Sequence, residues 1–208
     1  MTMTKVHMAV YDDLSDWEVG FATAHVNSAR WQREPGRYHV VTVGETPGPV
    51  TTMGGMRILP DAVLDDLRPA DSAMLILAGA DSWLIPGGNR AFADKAREFL
   101  DAGVPVAAIC GATGGLAAAG LLDDRDHTSN AAEFLAATGY RGASRYRDVP
   151  AMTDGDLITA SGTAPAAFAR EVLARLGVYE PHVLASWYKL YGLGDPAGFF
   201  ELAGAARP

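Results

Sequence analysis

A cysteine that ends an apolar run and precedes a glycine is the first place in this chain to look for chemistry. Cys110 closes Val104-Pro105-Val106-Ala107-Ala108-Ile109 and opens Gly111-Ala112-Thr113-Gly114-Gly115. This pattern predicts a buried strand, a sharp turn and a helix, with the thiol projected from the turn. The first amides of that helix and its dipole favour the thiolate, so the thiol is expected to ionise well below the free value of about 8.5. Gly111 allows a tight backbone and leaves an N–H for a developing oxyanion. The competing reading is a small core residue, because free cysteine is among the most buried residue types.

The acids and histidines offer fewer candidates. Ser15-Asp16-Trp17-Glu18 fits a capping box, in which Glu18 is a solvated acid of a first helical turn. His7, His25 and His39 read as ordinary strand or helix residues. Strand alternation aims His127 at the face opposite residues 128 and 130. The five histidines and the single cysteine show no metal-ligand spacing, and there is no GxGxxG, P-loop or HExxH motif. No metal and no cofactor are expected. Asp123-Asp124-Arg125-Asp126 reads as a solvated acidic loop.

The elements that must position Cys110 alternate along the chain. Strands are predicted at 5–11, 38–44, 73–78, 104–109 and 157–160, with a short one at 127–129. Residues 50–53 and 56–59 flank Gly54-Gly55 and read as a hairpin. Helices are predicted from Ser15 to about Gln32, at 89–102, 114–119, after 129 to 138, at 166–176 and at 181–191, with a short one closing the chain. Strands alternating with helices argue for a largely parallel sheet covered on both faces, with any ligand beyond the carboxyl ends of the strands. The turns to inspect are therefore 12–18, 79–88, 110–115, 130 and 161–165.

Composition sets the outer bounds. A chain of 208 residues supports one domain, taken as 1–208, with a substantial core. A net charge of −8 disfavours nucleic acid and anionic membrane surfaces as partners. The uncharged stretch 103–122 contains a GxxxG match, but its five glycines and Pro105 fit strand, turn and helix better than a membrane span. A lone cysteine and the lack of a secretory pattern fit a cytoplasmic protein.

Several segments together carry a family resemblance. Ala108-Ile109-Cys110-Gly111-Ala112-Thr113, Ala117-Ala118-Ala119-Gly120-Leu121-Leu122 and His127-Thr128-Ser129-Asn130 resemble the ThiJ/PfpI superfamily, as do Asp16-Trp17-Glu18, Leu77-Ala78-Gly79-Ala80-Asp81 and Ser161-Gly162-Thr163-Ala164-Pro165. The resemblance spans almost the whole chain in the family's order. It implies the class I glutamine-amidotransferase-like fold, a flavodoxin-like three-layer α/β sandwich with a mostly parallel sheet. It implies Cys110 as nucleophile, Glu18 as its carboxyl partner, and backbone amides near Gly79, Ala80 and Gly111 as the oxyanion pocket. Asp16, Asp81, Trp83, Asn130 and Thr163 are the further cleft candidates, with Trp83 equally readable as packing.

The chain also departs from the family. Ala78-Gly79-Ala80 replaces the usual Pro-Gly-Gly, and Ala80 would be strained if its position required positive φ. Gly111 stands where many hydrolytic members carry histidine, and Asn130 where some relatives carry one. His182 lacks the following glutamate of the glutaminases, so a glutaminase is not expected. The resemblance implies a hydrolase, lyase or hydratase acting on a small electrophilic substrate: amidase or peptidase, glyoxalase or deglycase, or isonitrile hydratase. It also implies a homodimer. The alternative is a redox-responsive stress protein whose cysteine is oxidised without turnover. A regulatory domain of a transcription factor is disfavoured, since no helix-turn-helix extension is present.

Overall fold

The computed structural model describes residues 3–205. Four strands rich in apolar residues run side by side through its centre: β1 (Thr4–Ala9), β6 (Leu75–Leu77), β7 (Val106–Ile109) and β9 (Leu157–Ala160). β6, β7 and β9 are buried along their whole length, as near-continuous apolar strands covered on both faces must be. Outside β1 lie β2 (Tyr38–Gly44) and the two-residue β5 (Ala62–Val63); outside β9 lies β8 (Ala151–Asp154). The seven strands are ordered β5-β2-β1-β6-β7-β9-β8. All pairings are parallel except β8 with β9. A separate hairpin, β3 (Val50–Thr51) and β4 (Arg57–Ile58), turns at Gly54 and Gly55.

Helices sandwich the sheet. α1 (Asp16–Asn27) packs on α5 (Pro165–Leu176), which in turn carries α6 (Pro181–Tyr191) and then α7 (Ala197–Ala205). α2 (Arg90–Asp101), α3 (Gly111–Ala118) and α4 (Ala132–Ala136) form a second group. This is the expected α/β flavodoxin-like three-layer fold. From β1 the strand order runs outward through β2 and β5, then resumes from β6 on the other side. The switch between these directions falls between β1 and β6, where α/β sheets open a crevice.

Several expected boundaries move. The first helix ends at Asn27 rather than near Gln32, because Gln32 Nε2 instead donates to the His25 and Val26 carbonyls and Trp31 adopts φ 60°. Ser15 occupies the N-cap position without a side-chain cap bond, so the capping box does not form. The strand expected at 73–78 contracts to Leu75–Leu77, and that at 104–109 to Val106–Ile109. The segment 127–129 forms only a single bridge, His127 to Tyr146. The helix after the cysteine begins at Gly111 rather than Gly114. β5 and β8 were not expected at all.

Three histidines are consumed by the fold. His7 Nδ1 bonds the Ser72 hydroxyl at 2.8 Å. His127 bonds the Arg125 carbonyl at 2.7 Å and the Tyr140 hydroxyl at 3.2 Å. His25 bonds the Tyr179 hydroxyl at 2.7 Å and accepts the Trp187 indole N–H at 3.1 Å, with Trp31 stacked on its ring. These partners hold neutral imidazoles, and burial lowers the pKa of both His7 and His25 to about 4. The unfolded chain binds a proton at each ring below about 6.5. Between those values the unfolded state holds the extra proton, so this stability is complete above about pH 6.5 and declines as pH falls toward 4. One group contributes at most about 1.4 kcal/mol per pH unit across that window, and less for a ring retaining solvent contact. Urea melts of the wild type and His25→Gln between pH 4 and 7 should show a shallower pH dependence in the variant; parallel curves would contradict it.

Candidate active site

The turns after four adjacent strands converge on one thiol. Cys110 leaves β7 with φ 58° and ψ −124°, a conformation that non-glycine residues rarely adopt. Strain of this kind costs about 1–3 kcal/mol and is found where a side chain must be presented at a sharp elbow. The elbow is anchored on both sides. Cys110 N–H donates to Ala160 O at 3.0 Å, continuing the β7–β9 ladder. Its carbonyl accepts the Thr113 N–H at 3.1 Å and the Thr113 hydroxyl at 2.6 Å, and that hydroxyl also meets Ser129 Oγ at 2.6 Å.

Glu18 comes from the first turn of α1, across the switch point, and is 0% exposed. Its Oε2 accepts the Gly79 N–H at 2.6 Å, and the Ser15 N–H donates to Gly79 O at 2.9 Å. The first turn of α1 is thus tied to the end of β6 rather than capped upon itself. Glu18 Oε1 is buried without a regular hydrogen-bond partner among the described residues. A charged oxygen in that position is costly, and a protonated one much less so. Burial accordingly pushes the Glu18 pKa above the usual carboxyl range, against the Gly79 amide and the Cys110 and Ser15 side chains.

The thiol does not behave as the helix N-terminus alone suggests. Burial pushes Cys110 up to about 11, and the charge and hydrogen bonding of Glu18 push the same way, while Asn130 and the Gly111 N–H pull it down. The expected strongly acidic thiol is therefore not found. Desolvation and an adjacent acid outweigh one turn of helix amides.

Space around sulfur depends on two glycines. A Cβ on Gly79 would stand 2.8 Å from both Cys110 Cβ and Glu18 Oε2. One on Gly162 would stand 2.6 Å from Cys110 Sγ and 3.1 Å from Glu18 Oε1. Gly162 was not singled out from the sequence, although it follows β9 within Ser161-Gly162-Thr163. Trp17, marked there only as part of the Asp16-Trp17-Glu18 segment, donates its indole N–H to Gly162 O at 3.2 Å.

The remaining candidates divide. Asn130 lies at the thiol, its Nδ2 at 3.4 Å from Sγ. Ala80 has φ −162°, ordinary extended backbone, so the replacement of glycine there brings no strain. Its N–H makes no hydrogen bond among the described residues and lies close to Gly111. The Gly79 N–H is committed to Glu18, which leaves Ala80 and Gly111 as the candidate oxyanion donors. Asp16 accepts the Gly54 N–H at 2.7 Å and fixes the hairpin tip to α1 instead of facing sulfur. Trp83 is a packing residue: its N–H donates to Ala78 O at 2.9 Å and its ring meets Tyr11 edge-on. Asp81 is exposed on a short 3-10 turn, and Thr163 is exposed and bonds only Ser161.

A cavity of about 440 Å³ runs behind α3 past Trp83, Ile85, Gly114 and Phe134, and a larger one of about 670 Å³ lies by Trp31, His182 and Phe199. Cys110 lines neither. Among the described residues no helix is long and apolar enough to cross a membrane, and no cluster of acids, histidines or cysteine could hold a metal.

An acid beside a thiol at a strand-to-helix elbow, on a sheet of this order, defines a class of protein, and comparison with known proteins agrees. The chain belongs to the DJ-1/PfpI family, which it matches over residues 4–175. It is 40% identical over 205 residues to the "Uncharacterized protease YoaZ" of Bacillus subtilis (strain 168), covering 97% of each chain. Among solved structures it resembles a thiJ/pfpI family protein from Bacillus anthracis, with TM-score 0.91 and 39% identity over 100% of this chain and 99% of that one. A DJ-1 superfamily protein from Agrobacterium tumefaciens follows at TM-score 0.81 and 34% identity, over 92% of this chain and 100% of that one.

Gly162→Ala should slow iodoacetamide alkylation of Cys110 roughly tenfold or more, because its methyl group would occupy the thiol's space. Gly20→Ala, where a Cβ meets nothing within 4 Å in the helix α1, should leave alkylation unchanged and be stability-neutral or better. Equal alkylation rates in the two variants would mean that sulfur does not occupy the site described.

Proposed function

We propose that the protein is a cysteine-dependent hydrolase, lyase or hydratase acting on a small electrophilic substrate. The observation that carries this reading is the pairing at the elbow: a strained Cys110 facing the partnerless oxygen of a fully buried Glu18. A core cysteine has no need of φ 58° or of two glycines clearing room for its sulfur.

Burial raises the pKa of Glu18, so in its ionised form it is a stronger base than an exposed carboxylate. In the proposed step Sγ forms a bond to the electrophilic carbon while the thiol proton passes to Glu18 Oε1. The electron pair displaced from the carbon–heteroatom bond settles on the heteroatom, facing the Ala80 and Gly111 amides. Glu18 then returns the proton to that atom, which departs if it is a leaving group. A water molecule next adds to the sulfur-bound carbon, passing its proton to Glu18, and the C–S bond breaks with that proton returned to sulfur, which frees Cys110. No second base takes part: His127 is bonded elsewhere and Gly111 replaces the neighbouring histidine. Peptide hydrolysis, suggested by the name of the B. subtilis relative, is thus the least supported member of the class. We also take the chain to be a single domain over 1–208, cytoplasmic and homodimeric, with a small molecule as its ligand.

A second reading is favoured by the same free oxygen. A protonated Glu18 Oε1 would bond a sulfinate on Cys110, which suits a redox-responsive protein without turnover. Mass spectrometry after mild peroxide separates the two. Gain of two oxygens on Cys110 with no turnover on any substrate selects the sensor.

The test of the enzyme reading is a panel of methylglyoxal, isonitriles, small amides and a peptide. One substrate should be turned over, and Cys110→Ala should abolish the activity. Glu18→Gln should lower it about 10²-fold and remove the limb of the pH–rate profile that rises as Glu18 loses its proton. Activity that survives in Cys110→Ala would end the proposal.

A further inference from the structure

Asn130 stands at the mouth of the cleft with both ends of its carboxamide engaged. Its Oδ1 accepts the Gly162 N–H at 2.9 Å, and its Nδ2 lies 3.4 Å from Cys110 Sγ. A backbone N–H can only donate, so the amide oxygen has to face Gly162 and the NH₂ group has to face sulfur. Turning the amide over would set two donors against each other at Gly162 and an oxygen lone pair against the sulfur. Gly162 is held in turn from its other side, where Trp17 donates to its carbonyl at 3.2 Å. The chain from Trp17 through Gly162 to Asn130 therefore fixes the orientation of one N–H donor toward the thiol.

From this we infer that Asn130 is a dedicated hydrogen-bond donor to the ionised Cys110 sulfur, held in a single orientation by Gly162, and that it sets how readily the thiol ionises. The inference rests on the reading of Cys110 as the reactive group. An N–H donor gains little from a neutral S–H but makes a charge-assisted bond to a thiolate, so its effect is directional. The groups around sulfur are few. Glu18 approaches from α1 and opposes ionisation whenever it is itself charged. Tyr11, at the end of β1, is committed to Ala78 O. The Gly111 N–H on α3 is the other favourable donor. Asn130 carries no titrating proton, so it can stabilise the thiolate but cannot relay its proton; that separates its role from that of Glu18.

Asn130→Asp tests this at nearly constant size. It keeps an acceptor for Gly162 and replaces the donor with a carboxylate oxygen. Asn130→Ala removes the donor without adding charge, and serves if the aspartate variant folds poorly. Thiolate absorbance in the ultraviolet, titrated in the wild type and both variants beside urea melts, gives the thiol pKa whether or not the protein turns anything over. The pKa should rise by about one unit in Asn130→Ala and further in Asn130→Asp, with alkylation about tenfold slower at a fixed pH below the pKa. Unchanged pKa values in folded variants would overturn the inference. A shifted pKa in a protein whose wild type turns over no substrate would support the role of Asn130 while sinking the enzyme reading.

Discussion

A carboxyl group removed from water must find partners or keep its proton, and Glu18 is the group around which this site is built. Its one regular hydrogen bond, from the Gly79 N–H, joins the first turn of α1 to the end of β6. Those two elements flank the point where the strand order reverses. The same contact leaves Oε1 on the side of sulfur, buried and without a regular hydrogen-bond partner among the described residues. Three further features follow from it. Ser15 gives its N–H to Gly79 instead of closing a capping box. Gly79 tolerates no Cβ, because one would collide with both Glu18 and Cys110. Burial raises the Cys110 pKa, and Glu18 adds to that rise.

How far the sequence revealed this varied with the physics of each segment. β7 and Cys110 were legible because a run of Val, Ala and Ile followed by glycines has few other readings. β2, β9 and α6 fell where expected, since a strand or helix bounded by Gly, Asp or Pro is clearly marked. β8 escaped because Ala-Met-Thr-Asp is too short and too polar to stand out, and its place is set by pairing with β9 across Gly155. β5 is two residues long and exists only by its register with Val43 and Gly44.

Glu18 shows the limit most clearly. A first-turn glutamate three residues after serine is the signature of a capping box, and also of an acid turned inward. Local sequence cannot separate the two, because the deciding partner is Gly79, sixty-one residues away. Only the family resemblance pointed to the second. The thiol pKa departs from expectation for a related reason: helix amides can be read from sequence, whereas desolvation cannot. Gly162 stands in the turn after β9 marked for inspection, but its role could not be read there, because what matters is the absence of a side chain near an atom fifty-two residues distant.

The distribution of histidines gives the proposed chemistry its character. His7, His25 and His127 each have ring nitrogens bonded to fixed partners, and burial holds their pKa values low. His182 is exposed on α6 beside the larger cavity, which Cys110 does not line. A nucleophile served by imidazole has a base that can also activate water. One served only by a buried carboxyl has a single proton acceptor, and that acceptor must be discharged before it acts again. Under the proposed mechanism the simplest discharge is back to the substrate atom that received the electron pair. Under that mechanism the carboxyl must therefore give up the thiol's proton before it can take one from water, so the two halves of the reaction run strictly in turn. Asn130 is exposed at the mouth of the site while Glu18 is fully buried, so under the proposed mechanism the proton would move out of reach of bulk water.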